Sequence, residues 1–220
     1  MKLYSYYRSS SAWRVRLVLA WKKLPYEYAA VNLAPGISAQ DSPEFLAVNP
    51  LKQVPTLEWA RGEELVRLTQ SVAICEYLEE LHPEPALMPH EPLARARVRQ
   101  IVETVASGIQ PHQNTGTLAE VTRLTSAEGA RVWAQNAILK GLPALETFVR
   151  TYGGAHAVGD TVTLADVYIV PQLFNARRFE LDLSPYPRLV EVDARASLLD
   201  AFVRAHPDSQ VDSPARAAAR

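Results

Sequence analysis

Three short stretches combine residue types able to hold an anion or an extended peptide: Ser9-Ser10-Ser11, Val54-Pro55 and Gln70-Ser71. Leu3 to Tyr6 reads as a strand and Ala12 to Lys22 as a helix, so the serines fall where a strand gives way to a helix start. There the first backbone N–H groups lack partners and the helix dipole is positive, which suits a phosphate, a carboxylate or a thiolate. The same serines would equally serve as an ordinary N-cap. Pro55 opens a later strand, where it cannot donate to a ladder and is tolerated if the Val54-Pro55 peptide is cis. A cis bond would turn the N–H and C=O of Val54 outward, toward an extended peptide; an edge-strand proline is the simpler alternative. Gln70-Ser71 opens a helix expected over residues 72–82, where Ser71 could receive a carboxylate or merely cap.

These stretches need a scaffold, and the apolar pattern supplies one. Trp13, Leu17, Ala20 and Trp21 share a face of the first helix, with Val15, Val18 and Leu19 beside them, so that helix should lie between layers. A second strand comes next over Tyr26 to Leu33, making a βαβ unit with parallel strands. Ser42-Pro43-Glu44 reads as N-cap, N1 proline and first-turn acid of a short helix ending near Val48. Val54 to Trp59 and Leu65 to Leu68 flank the turn Arg61-Gly62-Glu63 as a hairpin, and the third helix comes after it. The order βαβ then ββα resembles a thioredoxin-like half. In that layout the first helix start, the Val-Pro turn and the third helix start meet at one sheet edge. That edge could hold a small peptide with its thiol and its carboxylate at two helix N-termini.

Pro83, Pro85, Pro89 and Pro92 mark a linker, after which the pattern is helical: Leu93 to Ile109, Glu128 to Tyr152, Leu164 to Phe179 and Arg188 to Ala205. Thr163-Leu164-Ala165-Asp166 reads as a capping-box variant. The expected organisation is a thioredoxin-like α/β domain over residues 1–82, a linker over 83–92 and an all-helical domain over 93–220, with a polar tail from Pro207 left to fray.

Composition excludes several function classes. The 220 residues are 48% hydrophobic with a net charge of −1, so neither nucleic acid nor an anionic membrane is indicated as a partner. The single cysteine, Cys75, leaves no disulfide framework or cysteine-rich metal site and fits a reducing cytoplasm. Met1 runs directly into a strand-like segment rather than a signal peptide, and no apolar run approaches the roughly 20 residues of a membrane span. A soluble cytoplasmic protein without a metal is the expectation.

Across nearly its full length the chain resembles the cytosolic glutathione transferases, and among them the zeta class. The resemblance rests on Ser9-Ser10-Ser11-Ala12-Trp13-Arg14-Val15-Arg16, Asn49-Pro50-Leu51-Lys52-Gln53-Val54-Pro55-Thr56-Leu57 and Gln70-Ser71. It continues through Gly108-Ile109-Gln110-Pro111-His112-Gln113-Asn114, Leu164-Ala165-Asp166, Val170-Pro171-Gln172 and Asn175-Ala176-Arg177-Arg178-Phe179. It implies a glutathione transferase fold, a homodimer, and glutathione contacts at Ser9, Ser10, Ser11, Gln40, Val54, Pro55, Gln70, Ser71, Gln110 and Asn114. Ser9 would hold the thiolate. Arg178 would face a carboxylate of a small diacid substrate, with Arg8 adding positive potential and His112 a possible substrate contact.

The implied reaction is cis–trans isomerisation of maleylacetoacetate or maleylpyruvate through reversible thiolate addition. A broad conjugating transferase acting on small electrophiles or halogenated acids is the alternative, and a non-catalytic interaction protein on the same fold is a third reading. One departure stands out: Ser11 occupies a position where the family usually has cysteine, so the site itself carries no redox thiol. Cys75, inside the third helix, reads as packed core, and Asp166 as a structural cap rather than a catalytic acid.

Overall fold

The structure is a computed structural model that describes residues 1–34 and 36–218. Two compact units emerge: Met1–Pro85 together with the segment from Leu199 onward, and Ala86–Leu198.

In the first unit, β1 (Lys2–Ser5), α1 (Ser10–Trp21) and β2 (Glu27–Ala30) form the expected parallel βαβ, with Lys2 opposite Glu27 and Ser5 opposite Ala30. Ser42 caps the short helix α2 (Pro43–Leu46), its hydroxyl accepting from Phe45 N at 3.2 Å. The hairpin β3 (Thr56–Arg61) and β4 (Glu64–Thr69) adds antiparallel strands on the other side of β1, giving the order β2-β1-β3-β4. Helix α3 (Ser71–Leu81) packs beside α1. Leu3, Leu17, Leu57, Ile74 and Leu78 are fully buried, each worth about 1.5–3 kcal/mol relative to exposure. Every residue from Ala12 to Leu19 is buried, as a helix enclosed on several sides requires.

The second unit holds α4 (Pro92–Ala106), a 3-10 turn at Gln110–Gln113, α5 (Thr115–Leu124), α6 (Ala127–Tyr152), α7 (Leu164–Arg178) and α8 (Pro187–Ser197). Helix α7 is buried from Leu164 through Leu173. Its entry is fixed by Asp166, one oxygen of which accepts from Thr163 N at 2.8 Å and Thr163 Oγ1 at 3.1 Å. The other oxygen accepts from Ala157 N at 3.1 Å and lies 3.1 Å from His156 Nδ1.

Five expectations change. Helix α1 begins at Ser10 rather than Ala12, so two of the serines form its first turn. Helix α5 had no counterpart in the sequence pattern, because its apolar positions are few and none of its residues is buried. The run from Arg188 to Ala205 is two helices, α8 and α9 (Asp200–Ala205), separated where Leu199 turns extended. At that break the chain leaves the helical unit, so α9 and the residues beyond it group with the first unit rather than the second. The tail expected to fray from Pro207 is held in place where it is described, residues 219–220 lying outside the described residues: Pro207, Gln210 and Ser213 are buried, and Gln210 Nε2 donates to the carbonyls of Arg204 (2.9 Å) and His206 (2.8 Å). Alternating polar and small residues hid that order, because side chain to backbone bonds rather than apolar periodicity sustain it.

Removing the Asp166 carboxylate strands several buried donors at once. Asp166→Ala is expected to lower unfolding free energy by about 2–4 kcal/mol, combining a lost cap with unsatisfied N–H groups. Asp166→Asn, which keeps one acceptor, should lose less; urea denaturation of the two variants checks the order.

Candidate anion and peptide site

The first turn of α1 is where the site begins. Ser9 is the N-cap, with its Oγ accepting from Ala12 N at 3.2 Å and its own N–H donating to Tyr6 O at 2.9 Å. Capping and anion binding therefore do not compete at Ser9. A hydroxyl that accepts from the backbone still has its proton to donate, and a thiolate is an acceptor. Ser9 and Ser11 are half-buried, whereas Ser10 turns into the fold with 7% of its surface exposed. Arg8 is half-buried, its guanidinium 6.0 Å from the centre of the Tyr6 ring.

Behind this turn stands a residue to which the sequence pattern gave no role. Arg16 is fully buried, and its guanidinium donates to Ser5 Oγ (3.0 Å), Tyr6 O (3.3 Å), Tyr7 O (2.8 Å) and Ala205 O (3.2 Å). Burial pushes its pKa down to about 10, still well above neutral pH, so it remains charged. Asp212 holds the same strand end from another side, accepting from Tyr7 N at 3.0 Å and from the Tyr28 hydroxyl at 2.7 Å. Burial in turn raises the pKa of Tyr28, keeping it a donor. The signal available in the sequence was the pair Arg14 and Arg16 inside a helix apolar around its girth, where neither can reach water by lying on a polar face.

Val54-Pro55 is cis. The Val54 side chain packs with Tyr6, Ala12, Val31 and Phe45, which places this peptide against the start of α1. Buried Asn49 steadies the approach: its Nδ2 donates to Gln53 O at 2.7 Å and its Oδ1 accepts from Leu51 N at 3.0 Å. Gln70 precedes α3 with φ 69° and ψ 117°, a conformation that costs a non-glycine residue about 1–3 kcal/mol and tends to occur where a ligand is held. Ser71 is therefore the first residue of α3 rather than its cap, and its Oγ accepts from Arg14 Nη1 at 3.3 Å. Ala12 thus touches the Val54 cluster while Arg14 touches Ser71, so one turn of α1 links all three stretches. Gln40 sits in a 3-10 turn over Ala39–Asp41, and its Oε1 is enclosed with no partner among the described residues. Two helix starts for anions, backbone at Val54 and an unpaired acceptor at Gln40 suit a short peptide carrying a thiol and a carboxylate, as glutathione does.

In the second unit, the Gln110 and Asn114 side chains hydrogen-bond each other, with Gln110 buried and Asn114 half-buried. The turn that carries them is held by Gln113 Nε2 donating to buried Gln172 Oε1 at 2.7 Å and by Trp133 Nε1 donating to His112 O at 3.1 Å. The exposed His112 ring lies 6.1 Å from that of Trp133. Arg178 ends α7, exposed, with its guanidinium 4.7 Å from the centre of the Phe179 ring. Its neighbour Arg177 is committed instead to buried Asp193 at 2.6 Å. Cys75 is fully buried, and among the described residues no helix is long and apolar enough to cross a membrane.

Residues 3–86 match the family model "Glutathione S-transferase, N-terminal domain". The maleylacetoacetate isomerase of Rattus norvegicus is 46% identical over 213 residues, covering 97% of this chain and 95% of that protein. The crystal structure of maleylacetoacetate isomerase from Anaeromyxobacter dehalogenans with bound glutathione in its active site is similar at 51% identity and TM-score 0.89, covering 97% of each chain. The holo structure of maleyl pyruvate isomerase, a bacterial glutathione S-transferase of the zeta class, is similar at 41% identity and TM-score 0.90, covering 97% of this chain and 100% of that one.

Arg16→Met leaves several buried oxygens without their donor and is expected to cost about 3 kcal/mol or more of stability. Arg16→Lys, which keeps a charge but cannot span the same acceptors, should fall between Met and the wild type in thermal denaturation.

Proposed function

The chain belongs to the glutathione S-transferase family, and from that premise we propose that it isomerises a maleyl diacid, converting maleylacetoacetate to fumarylacetoacetate with glutathione, with maleylpyruvate as the other candidate substrate. The observation that carries this reading is the state of Ser9. Its oxygen is engaged by the Ala12 N–H at 3.2 Å, so its proton is left for an anion at the positive end of α1.

Bound glutathione supplies a thiolate whose reversible addition makes the substrate's double bond transiently single, so that it can rotate. The remaining work falls to residues of this chain. Ser9 donates to the sulfur and, with the N–H groups that open α1, favours the thiolate over the thiol. Val54 pairs with the peptide backbone of glutathione, beside Pro55, and Gln70, Ser71 and Gln40 hold its polar ends. Ser10 acts through its backbone N–H, since its side chain is buried, and Ser11 adds a donor at the accessible face. On the helical unit, Gln110 and Asn114 contribute glutathione contacts. Arg178 and Arg8 receive the carboxylates of the diacid through charge-assisted hydrogen bonds. His112 is the remaining substrate contact. The chain's one cysteine, Cys75, is enclosed in the core, so the reacting thiol comes from glutathione. Assembly as a homodimer in the cytoplasm completes the proposal; a light-scattering mass near 24.4 kDa would count against the dimer.

Loss of maleylacetoacetate absorbance with glutathione present, and not without it, tests the activity directly, with maleylpyruvate in a parallel cuvette. Conjugation of small electrophiles without isomerisation would assign the site to a general transferase instead. Failure to bind immobilised glutathione would leave only an interaction protein.

Ser9→Ala and Arg178→Ala should fail differently. Ser9→Ala is expected to lower kcat at least tenfold and to raise the pKa of bound glutathione by about one to two pH units, since a hydrogen bond to a charged group is lost. Arg178→Ala should chiefly raise KM for the diacid. Ultraviolet titration of the bound thiolate is the check on Ser9: an unchanged midpoint in Ser9→Ala would remove its proposed role.

A further inference from the structure

Resting on the glutathione reading, we propose that Arg14 is a positioning residue for glutathione, acting through the hydroxyl of Ser71 to fix a ligand carboxylate at the start of α3. Arg14 is 1% exposed, on a helix whose residues from Ala12 to Leu19 are all buried, so its charge sits inside the first unit. Its Nη1 donates to Ser71 Oγ at 3.3 Å, and Ser71 is the first residue of α3, preceded by the left-handed Gln70.

Hydroxyl chemistry and electrostatics give this contact two consequences. A serine hydroxyl has one proton, and with its oxygen accepting from a guanidinium that proton is directed to a second acceptor. A ligand carboxylate at the helix start is such an acceptor, and the chain Arg14, Ser71, carboxylate polarises each bond in the same sense. The carboxylate would then stand within about 6 Å of a cation, close enough in a partly desolvated site to add to the pull of the helix dipole. The arrangement parallels Ser9, whose oxygen is engaged by a backbone N–H while its proton is left to donate. Arg14 touches neither sulfur nor substrate. It therefore bears on glutathione affinity through one carboxylate, and not on the chemistry at the thiol.

The test pairs a change in the protein with a change in the ligand. Binding is measured calorimetrically for glutathione, for γ-aminobutyryl-cysteinyl-glycine, which lacks the glutamyl α-carboxylate, and for the glycine amide of glutathione. The wild type should lose about tenfold to a hundredfold in affinity for one of the two edited peptides, as expected for a lost charged hydrogen bond. Arg14→Gln should bind glutathione correspondingly weaker while binding that edited peptide as the wild type does, so the preference collapses. Arg14→Lys should recover part of it. The pKa of the bound thiol should not move in either variant. Because a buried arginine can be needed for folding, Ser71→Ala supplies a second arm: it cuts the same link with Arg14 in place and should shrink the same preference. An Arg14→Gln or Ser71→Ala protein that keeps the full wild-type preference overturns the proposal. A wild type that binds glutathione with no preference for either carboxylate overturns it too, whereas one that binds none of the three peptides defeats the glutathione reading itself.

Discussion

A guanidinium held away from water must be surrounded by acceptors, and the position of Arg16 answers to that constraint. Leaving such an ion unsatisfied would cost several kcal/mol. Its four acceptors are Ser5 Oγ and the carbonyls of Tyr6, Tyr7 and Ala205, so one side chain ties the end of β1 to the C-terminal segment and to the helix that carries it. The serine turn begins at the next residues. Its backbone direction is set by Arg16 on one side and by Asp212, bound to Tyr7 N, on another. An anion site made of N–H groups is only as good as the orientation of those groups, and a hydroxyl about 1 Å out of place cannot serve a thiolate. The buried cation thus fixes the backbone from which the serine turn departs.

The polar groups of the first unit share a logic of direction. Ser9 accepts from the peptide N–H of Ala12 and Ser71 accepts from Arg14, so each hydroxyl has its proton left to donate. Neither carries a charge of its own. Under the proposed function, that arrangement would favour a thiolate at one helix start and a carboxylate at another. The replacement of a thiol by a hydroxyl at Ser11 is consistent with it, because hydrogen-bond donation survives and competing sulfur chemistry does not.

In the helical unit the same economy applies to structure rather than to ligand. Asp166 looks, in isolation, like a catalytic acid. Its two oxygens instead gather donors from Thr163, Ala157 and His156 at the head of a helix with no polar face to spare. Arg177 and Arg178 are neighbours with different commitments. The first is drawn to buried Asp193 and the second is presented at the surface beside Phe179.

Much of this was legible from residue order alone, for local reasons. Strand and helix periods, the Ser42-Pro43 start, the Thr163–Asp166 box and the Val54-Pro55 turn depend on neighbours within a few positions, and such interactions are written in the sequence. The serine turn and the start at Gln70-Ser71 were likewise recognisable as anion-binding candidates, although each could have been a cap. Only the tertiary structure decided that the Ser71 oxygen is engaged as an acceptor, because that depends on Arg14 reaching across from another helix. It also decided that the run from Arg188 to Ala205 breaks in two, and that the polar tail is tied to the first strands through Asp212. Those contacts join residues up to 205 positions apart, and no periodicity encodes a single hydrogen bond made over that distance.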